Sequence, residues 1–262
     1  RRVRAVLRDR SKSEPWSAAG CEIAIADLDD AAALARAFAG SEAAFLMLPP
    51  LFDPSPDFAE ARAMIATLRA ALRMSPPRRV VALSTIGADA GRTNLLSQLG
   101  LLEQELATLD TPITLLRPAW FMENAALDVG SARERGTIQS YLQPLDRAVP
   151  MIATADVGRT IADLVQETWD GVRVVELEAA QRVSPDAIAA AFGKALGKPV
   201  KAEIVPRGEW DATFRAQGMK NPLPRIQMLD GFNQGWIEFA DRGAGARKGQ
   251  LGIDEVIAAL VA

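Results

Sequence analysis

Residues 43–84, AAFLMLPPLFDPSPDFAEARAMIATLRAALRMSPPRRVVALS, contain one complete strand, helix and strand unit. Ala43 to Leu48 is an apolar run of strand length that two prolines end. Phe58 to Met74 places apolar residues at helical spacing and stops before a second pair of prolines. Val80 to Ser84 is again rich in residues that favour strands. Two such strands joined through a helix favour a parallel pair with a crossover connection.

The same alternation extends to both sides of this unit. Val3 to Leu7 and Glu22 to Ala26 have strand patterns before it, and Ile113 to Leu116 has one after it, with helical patterns between them. The sequence therefore predicts the α/β class, a Rossmann-type doubly wound parallel sheet with a smaller C-terminal substrate lobe. In such a sheet the ligand binds at the carboxyl ends of the strands.

The regular alternation ends at Pro118, which suggests how the chain is divided. The predicted nucleotide-binding core covers residues 1–118, and residues 154–178 return to it. Residues 119–153 and 179–262 form the predicted substrate lobe, whose last part is rich in Trp, Phe and Met. Such residues are more often core than substrate wall, so both roles stay open for them.

Composition excludes several classes of protein. The 30 Lys and Arg residues against 33 Asp and Glu give a net charge of -3, without the basic runs that track nucleic acid. No apolar stretch approaches the ~20 residues that span a bilayer, so a membrane protein is not expected. Cys21 is the single cysteine, which suits a reducing cytoplasm. The absence of histidine excludes Ser-His-Asp and Cys-His catalysis and His-ligated metals, and no metal site is predicted. An oligomer is compatible with this composition.

Six segments together resemble the NmrA-like family, which includes NADPH-dependent quinone reductases and NADP-sensing regulators. The likeness extends over nearly the whole chain, and it depends on the order and spacing of the segments rather than on any one of them. The segments are Val3 to Lys12 (VRAVLRDRSK), Ala26 to Leu34 (ADLDDAAAL), Ala82 to Ala88 (ALSTIGA), Leu115 to Asn124 (LLRPAWFMEN), Ile152 to Ala162 (IATADVGRTIA) and Gly197 to Val205 (GKPVKAEIV).

The resemblance implies that one element is missing from the printed sequence. The family begins with a strand and a G-x-x-G-x-x-G turn, which place the cofactor pyrophosphate on a helix N-terminus. Neither precedes Val3 to Leu7, which matches the family's second strand. We therefore expect that roughly two dozen N-terminal residues, one strand and its glycine-rich loop, belong before residue 1.

A basic residue after the second strand of such folds accommodates the 2′-phosphate of NADP, where NAD enzymes present a carboxylate. Arg8 occupies that position and Lys12 adds charge, so NADP(H) is predicted in preference to NAD(H). The alternative is that Arg8 is a solvated residue at a strand end. Asp27 and Leu28 follow the next strand, where the resemblance places the adenine; Asp27 could instead cap the helix that follows.

Four further positions are predicted to contact the cofactor on the same grounds. Leu48 and Pro49 end the strand that the cofactor would cross, although the two prolines could simply form a turn. Ser84 and Thr85 stand where relatives with full reductase chemistry carry an active-site hydroxyl. Hydroxyls at strand ends also satisfy backbone groups, which is their commoner role.

The segment after the fifth strand is expected to adjoin the nicotinamide and the substrate. The resemblance places Pro118 and Phe121 beside the nicotinamide, with Trp120 and Asn124 toward the substrate. Trp120 would offer a flat surface to an aromatic acceptor. Tyr141, the single tyrosine, is a candidate substrate contact, with a structural role as the alternative.

The chain lacks the Tyr-x-x-x-Lys pair that supplies the acid in classical short-chain dehydrogenases. The corresponding helix reads TNLLSQLGLLEQELATL over residues 93–109, without Tyr or Lys, and no catalytic residue is assigned. The leading hypothesis is an NADP(H)-dependent oxidoreductase that transfers hydride to a quinone-like or other conjugated small molecule, with protons from water. The alternative is a non-catalytic NADP(H)-binding redox sensor. A nucleotide-sugar epimerase is disfavoured, since that chemistry normally uses the absent pair.

Overall fold

A computed structural model describes residues 2–262, in which strands and helices alternate through the first half of the chain. The strands are β1 (Arg4–Leu7), β2 (Glu22–Ile25), β3 (Ala44–Leu46), β4 (Val80–Leu83), β5 (Ile113–Pro118), β6 (Trp120–Phe121), β7 (Thr137–Ser140), β8 (Met151–Ile152), β9 (Val172–Ala179), β10 (Lys201–Ile204) and β11 (Arg247–Gly249). The α-helices are α1 (Glu14–Ala18), α2 (Ala31–Phe38), α3 (Ala59–Met74), α4 (Ser97–Leu106), α5 (Val129–Arg135), α6 (Thr154–Leu164), α7 (Pro185–Leu196), α8 (Trp210–Ala216), α9 (Leu223–Gln234) and α10 (Ile253–Val261). Short 3-10 helices cover Arg10–Lys12, Met122–Asp128, Arg207–Glu209 and Ala240–Gly243.

The central sheet has five parallel strands in the order β11-β9-β5-β4-β3. Successive side chains of a strand point to opposite faces, and β4 shows this directly. Val80 and Ala82 lie in the core on one face with α2, α3 and α4, whereas Val81 lies in the core on the other face with α6 and the lobe. The predicted α/β class with a parallel sheet is confirmed.

The first two strands depart from the single sheet that the sequence predicts. β1 pairs in parallel with β2 alone, and β3 forms an edge of the five-stranded sheet, with Phe45 40% exposed. Arg4 connects the two groups, because its guanidinium donates to the carbonyl oxygens of Ala37 and Ala39 at the end of α2. The β1-β2 pair and the five-stranded sheet are therefore separate sheets within residues 2–262.

The later part of the chain surrounds the other face and the edge of the sheet. β9 returns to the sheet beside β5, and α6 contacts β5. β7 and β10 form a separate parallel pair, and α7 packs with α10 around the buried Phe192. Trp210, Phe214 and Phe232 are buried in the core that α8 and α9 share with the sheet. None of the helices within residues 2–262 has the length and apolar character that crossing a membrane requires.

Asp128 is a half-buried carboxyl group between the second 3-10 helix and α5. Burial raises its pKa to about 6, an effect that the backbone amide of Gln139 only partly offsets. The folded state therefore holds a proton that the unfolded state releases near pH ~4, so the free energy of unfolding falls as pH rises from ~4 to ~6. Above that window the ionised carboxylate costs about 2 kcal/mol.

We expect Asp128→Asn to be more stable than the wild type by about 2 kcal/mol above pH ~7, and nearly equal to it at pH ~4. Urea unfolding curves at a series of pH values measure the difference. The exposed Asp146→Asn is the matched control and should leave that difference near zero throughout. A wild type that is the more stable protein at neutral pH would contradict the assignment.

Candidate functional site

The candidate site lies at the edge of the sheet where β3, β4 and β5 end. Because the three strands are parallel neighbours, the loops that follow them meet at one edge. The backbone N–H of Ile86 donates to the Pro118 carbonyl at 2.9 Å, which holds the loops after β4 and β5 together. Leu48 and Pro118 are buried at this edge, while Pro49 is exposed. The three predicted contacts thus lie at one edge of the sheet, and the space between the loops that follow these strands is the candidate cleft.

Ser84 belongs to a buried ionic network below this edge. Its hydroxyl lies 2.5 Å from Glu103 Oε1 on α4. Arg117 at the end of β5 donates to the same carboxylate through Nε at 2.8 Å and through Nη2 at 2.6 Å. Only 10% of the Glu103 side chain and 11% of the Arg117 side chain are exposed. Glu103, with Asp89 in support, raises the pKa of Arg117, so the guanidinium stays charged.

Thr85 is better placed than Ser84 to meet a ligand. The Ser84 hydroxyl can donate only one hydrogen, and the ionised Glu103 takes it. Thr85 is half-buried, and its hydroxyl makes no hydrogen bond within residues 2–262. Of the two hydroxyls predicted from the sequence, the geometry therefore leaves Thr85 free and assigns Ser84 a structural partner.

The turn after β1 carries the predicted phosphate contacts, Arg8 and Lys12, and both are exposed. The carboxylate of Asp9 between them accepts from the Ser11 backbone N–H at 2.8 Å, which fixes its orientation within the turn. The hydrogen bonds of Ser11 hold the pKa of Asp9 below its usual value, with Lys12 and Arg8 contributing. The turn is compact and presents its cations to solvent.

Asp27 follows the buried Ala26 and is exposed, and its carboxylate accepts from the Leu28 backbone N–H at 2.7 Å. It does not cap the helix that follows. Asp30 does, because its carboxylate accepts from the Ala33 N–H at 2.8 Å and α2 begins at Ala31. The capping alternative for Asp27 is therefore wrong, and Asp27 with the half-buried Leu28 remains available for a ligand.

An aromatic pair lies directly after β5. Trp120 packs edge-on against Phe232 of α9, with ring centroids 5.1 Å apart and planes at 81°. Trp120 and Phe121 form β6, which pairs with β8, and both remain half-buried, so they have an accessible side. Asn124 is exposed in the 3-10 helix that follows. Trp120 thus supplies a flat apolar wall at the end of a central strand.

Tyr141 lies in a second aromatic group of the lobe. Its ring is 5.1 Å from that of Phe214 and 5.9 Å from that of Trp210. The backbone carbonyl of Tyr141 accepts from Asn233 Nδ2 at 2.9 Å, which connects this group to α9 next to Phe232. Packing accounts for the ring of Tyr141, while its hydroxyl has no hydrogen-bond partner within the described chain.

The lobe is fastened to the loops of the sheet edge at two points. The Asp53 carboxylate, in the loop after β3, accepts from the backbone N–H groups of Lys220 at 2.8 Å and Asn221 at 2.7 Å. The hydrogen bond from Lys220 has the larger effect, and together with that from Asn221 it holds the pKa of Asp53 below its usual value. In the loop after β4, the Leu95 N–H donates to the Pro224 carbonyl at 2.9 Å. The start of α9 therefore lies against the cleft.

Gly87 allows the lobe to approach the loop after β4. Its φ of +74° favours glycine, and a Cβ at this position would lie 2.8 Å from Ile237 Cγ2. Ile237 also lies against Gly231 of α9. The segment after α9 thus closes the side of the cleft opposite β3, and a side chain at Gly87 would force it outward.

Sequence reasoning missed three features of this site. Glu103 on α4 pairs with Arg117 on β5. Of the two, only Arg117 lies in a segment that resembles the family. Asp53 had no recognisable motif. Arg225, on the first turn of α9, stands among the lobe aromatics, and its position became visible only through the fold.

Comparison with known proteins identifies the relatives of this chain. Residues 1–224 match the description of the NmrA-like family. An Escherichia coli protein, Quinone oxidoreductase 2, is 24% identical over 247 residues, which are 94% of this chain and 79% of that protein. An NAD(P)H azoreductase of Xenophilus azovorans is 23% identical over 221 residues, or 84% of this chain and 74% of that protein.

A solved structure confirms the Rossmann-like fold. The crystal structure of an NADPH-dependent quinone oxidoreductase from Escherichia coli, in complex with NADPH, superimposes with a TM-score of 0.80. The match covers 98% of this chain and 89% of that one, at 22% sequence identity. The agreement extends from the strands of the sheet through the lobe.

Proposed function

Because the chain belongs to the NmrA-like family, we propose that it is an NADP(H)-dependent reductase of quinone-like or other conjugated aromatic molecules. The observation that carries this proposal is the half-buried Trp120 wall directly after β5, with the free hydroxyl of Thr85 in the neighbouring loop, which the hydrogen bond from Ile86 to Pro118 joins to it. Such a wall suits a flat acceptor held parallel to a second ring. The names of both relatives, a quinone oxidoreductase and an azoreductase, refer to conjugated acceptors and support the same class.

The residues predicted to contact the cofactor have side chains that suit a dinucleotide with a 2′-phosphate. Arg8 and Lys12 are exposed cations, and no acidic side chain within residues 2–262 is bonded to either of them. Both would be available to bind a phosphate. Asp27 would accept from the adenine amine, and Leu28 would pack on its ring. Leu48 and Pro49 would line the path to the edge of the sheet. NADP(H), when bound, would supply the hydride.

The chain's part in the reaction would be to hold two rings in contact. Pro118 and Phe121 would bound the nicotinamide, and Trp120 would support the acceptor, with Asn124 and Tyr141 farther out. Quinone, NADPH and one proton give hydroquinone and NADP⁺, and the proton can come from water. Proximity and orientation alone can supply a large part of such a rate enhancement, so no Tyr-Lys pair is required.

The test is a titration of the purified protein with NADPH and NADH, followed by the NADPH absorbance in the presence of menadione and of an azo dye. We expect saturable NADPH binding and acceptor-dependent oxidation, with one NADPH consumed per quinone reduced. Tight NADPH binding without oxidation by any quinone, azo or triphenylmethane acceptor would contradict a reductase and favour a redox sensor. Absence of binding of either nucleotide would contradict both.

A further inference from the structure

Arg225 is a half-buried arginine of α9 without a carboxylate partner in residues 2–262. Three other arginines of this lobe have carboxylate partners: Arg207 with Asp230, Arg215 with Asp211 and Arg182 with Glu238. The hydrogen bond recorded for the Arg225 side chain is a weak one, from Nη1 to the Met219 sulfur at 3.7 Å. A guanidinium in such a position retains most of its donors for a ligand.

The local packing orients this guanidinium for binding. Its central carbon lies 4.3 Å from the centre of the Phe214 ring, a cation-π contact. Stacking on one face leaves the N–H groups in the plane of the guanidinium, and this planar fork matches carboxylates and sulfonates. Each guanidinium nitrogen of Arg225 either has a hydrogen-bond partner or is accessible to solvent. The remaining donors therefore face accessible space.

Burial makes an unpaired charge here costly. Desolvation lowers the pKa of Arg225, and only the nearby phenol of Tyr141 opposes that effect. A half-buried charge without a counter-charge destabilises the free protein, and the binding of an anion removes this penalty. A surface arginine would gain much less from the same anion, because water already solvates it.

The position of Arg225 connects it to the cleft. Its neighbour Pro224 accepts from Leu95 of the loop after β4, and Asn221 is held by Asp53 of the loop after β3. Arg225 and Phe232 are seven residues apart on α9 and so lie on the same face of the helix, about 10 Å apart along its axis. Phe232 is the residue that packs against Trp120.

From this arrangement we infer that Arg225 binds an acidic group on the aromatic acceptor, so that the preferred acceptors carry a carboxylate or sulfonate. The assignment rests on the proposed reductase function and sharpens its substrate class. Because Arg225 lies two turns of α9 from Phe232, an acceptor that lies on Trp120 would carry its acidic group at the end remote from the reacting ring. Tyr141, whose hydroxyl is unpaired, borders the same place.

The first test measures binding without turnover. Naphthalene-2-sulfonate and naphthalene-2-sulfonamide have nearly the same shape and differ in charge, and neither accepts hydride. We expect the wild type to bind the sulfonate about 10- to 100-fold more tightly. Arg225→Gln should abolish that ratio, and Arg225→Lys should restore part of it. Arg207→Gln is the matched control, since Arg207 also lies over an aromatic ring, that of Trp210, but is paired with Asp230. It should keep the ratio.

The second test uses acceptors: methyl orange and 4-dimethylaminoazobenzene, which differ by one sulfonate. Arg225→Gln should lower kcat/KM for the sulfonated dye by about tenfold or more and leave the neutral dye and the Kd of NADPH nearly unchanged. Equal loss for both dyes, weaker NADPH binding alone, or no charge preference in the wild type would overturn the inference. Sulfonate selectivity that depends on Arg225 without any NADPH oxidation would refute the reductase while supporting the anion site.

Discussion

Arg117→Met is expected to lower the free energy of unfolding by about 3–5 kcal/mol, because it leaves the buried Glu103 carboxylate without its counter-charge. The ion pair is bidentate and nearly closed to solvent, with side-chain exposures of 11% and 10%. Ser84 could still donate to Glu103, but one neutral hydrogen bond does not replace a guanidinium. Urea unfolding followed by circular dichroism measures the loss.

A second ion pair, between Arg69 of α3 and Glu105 of α4, gives the matched control. Arg69 lies 2.5 Å from Glu105 with 36% and 44% of the two side chains exposed. Because exposed pairs contribute little, Arg69→Met should cost about 1 kcal/mol or less. Equal destabilisation by Arg69→Met and Arg117→Met would contradict the buried charge as the cause.

A double variant separates charge from packing. When Glu103→Leu is added to Arg117→Met, the uncompensated carboxylate is removed and a large part of the lost stability should return. If the double variant is less stable than Arg117→Met by the full cost of Glu103→Leu alone, the two residues act independently and the network has been misjudged.

The sequence was sufficient for the features that depend on neighbours along the chain. Strand runs bounded by prolines, such as Ala43 to Leu48, gave β3 within two residues at each end, since apolar period and chain breakers act locally. The sequence predicts that α3 begins at Phe58, whereas it begins at Ala59. The reason is that Phe58 adopts a left-handed φ of 58°, which no local pattern reveals.

Contacts between distant segments could not be predicted in the same way. Nothing in the local sequence distinguishes Glu103 on the helix after β4 from a solvent-exposed acidic residue, and its burial follows only when β4 and β5 bring Ser84 and Arg117 against it. Three aspartates, Asp27, Asp29 and Asp30, precede α2, and the reach of three residues to the Ala33 N–H selects Asp30 rather than the predicted Asp27.

For the predicted cofactor contact Arg8, the sequence likewise predicts only its position in the chain. The sequence placed Arg8 at a strand end, and the structure adds that it is exposed and that Ser11 engages its neighbour Asp9. Whether that turn selects NADP(H) depends on a phosphate that only a binding experiment introduces. The contribution of Arg8 to the preference for NADPH over NADH therefore has to be measured.

Arg8→Ala should weaken NADPH binding by about 10- to 100-fold and leave NADH binding nearly unchanged, because a charge-assisted contact to the 2′-phosphate exists only with NADPH. Titrations of Trp fluorescence with each nucleotide give the two Kd values. The effect on NADPH should shrink as salt is raised, since an exposed cation is screened. Arg36→Ala removes another exposed arginine, on α2, and should change neither Kd. Equal weakening of NADPH and NADH by Arg8→Ala would place Arg8 in general support of the turn, and the preference for NADP(H) would then need another source.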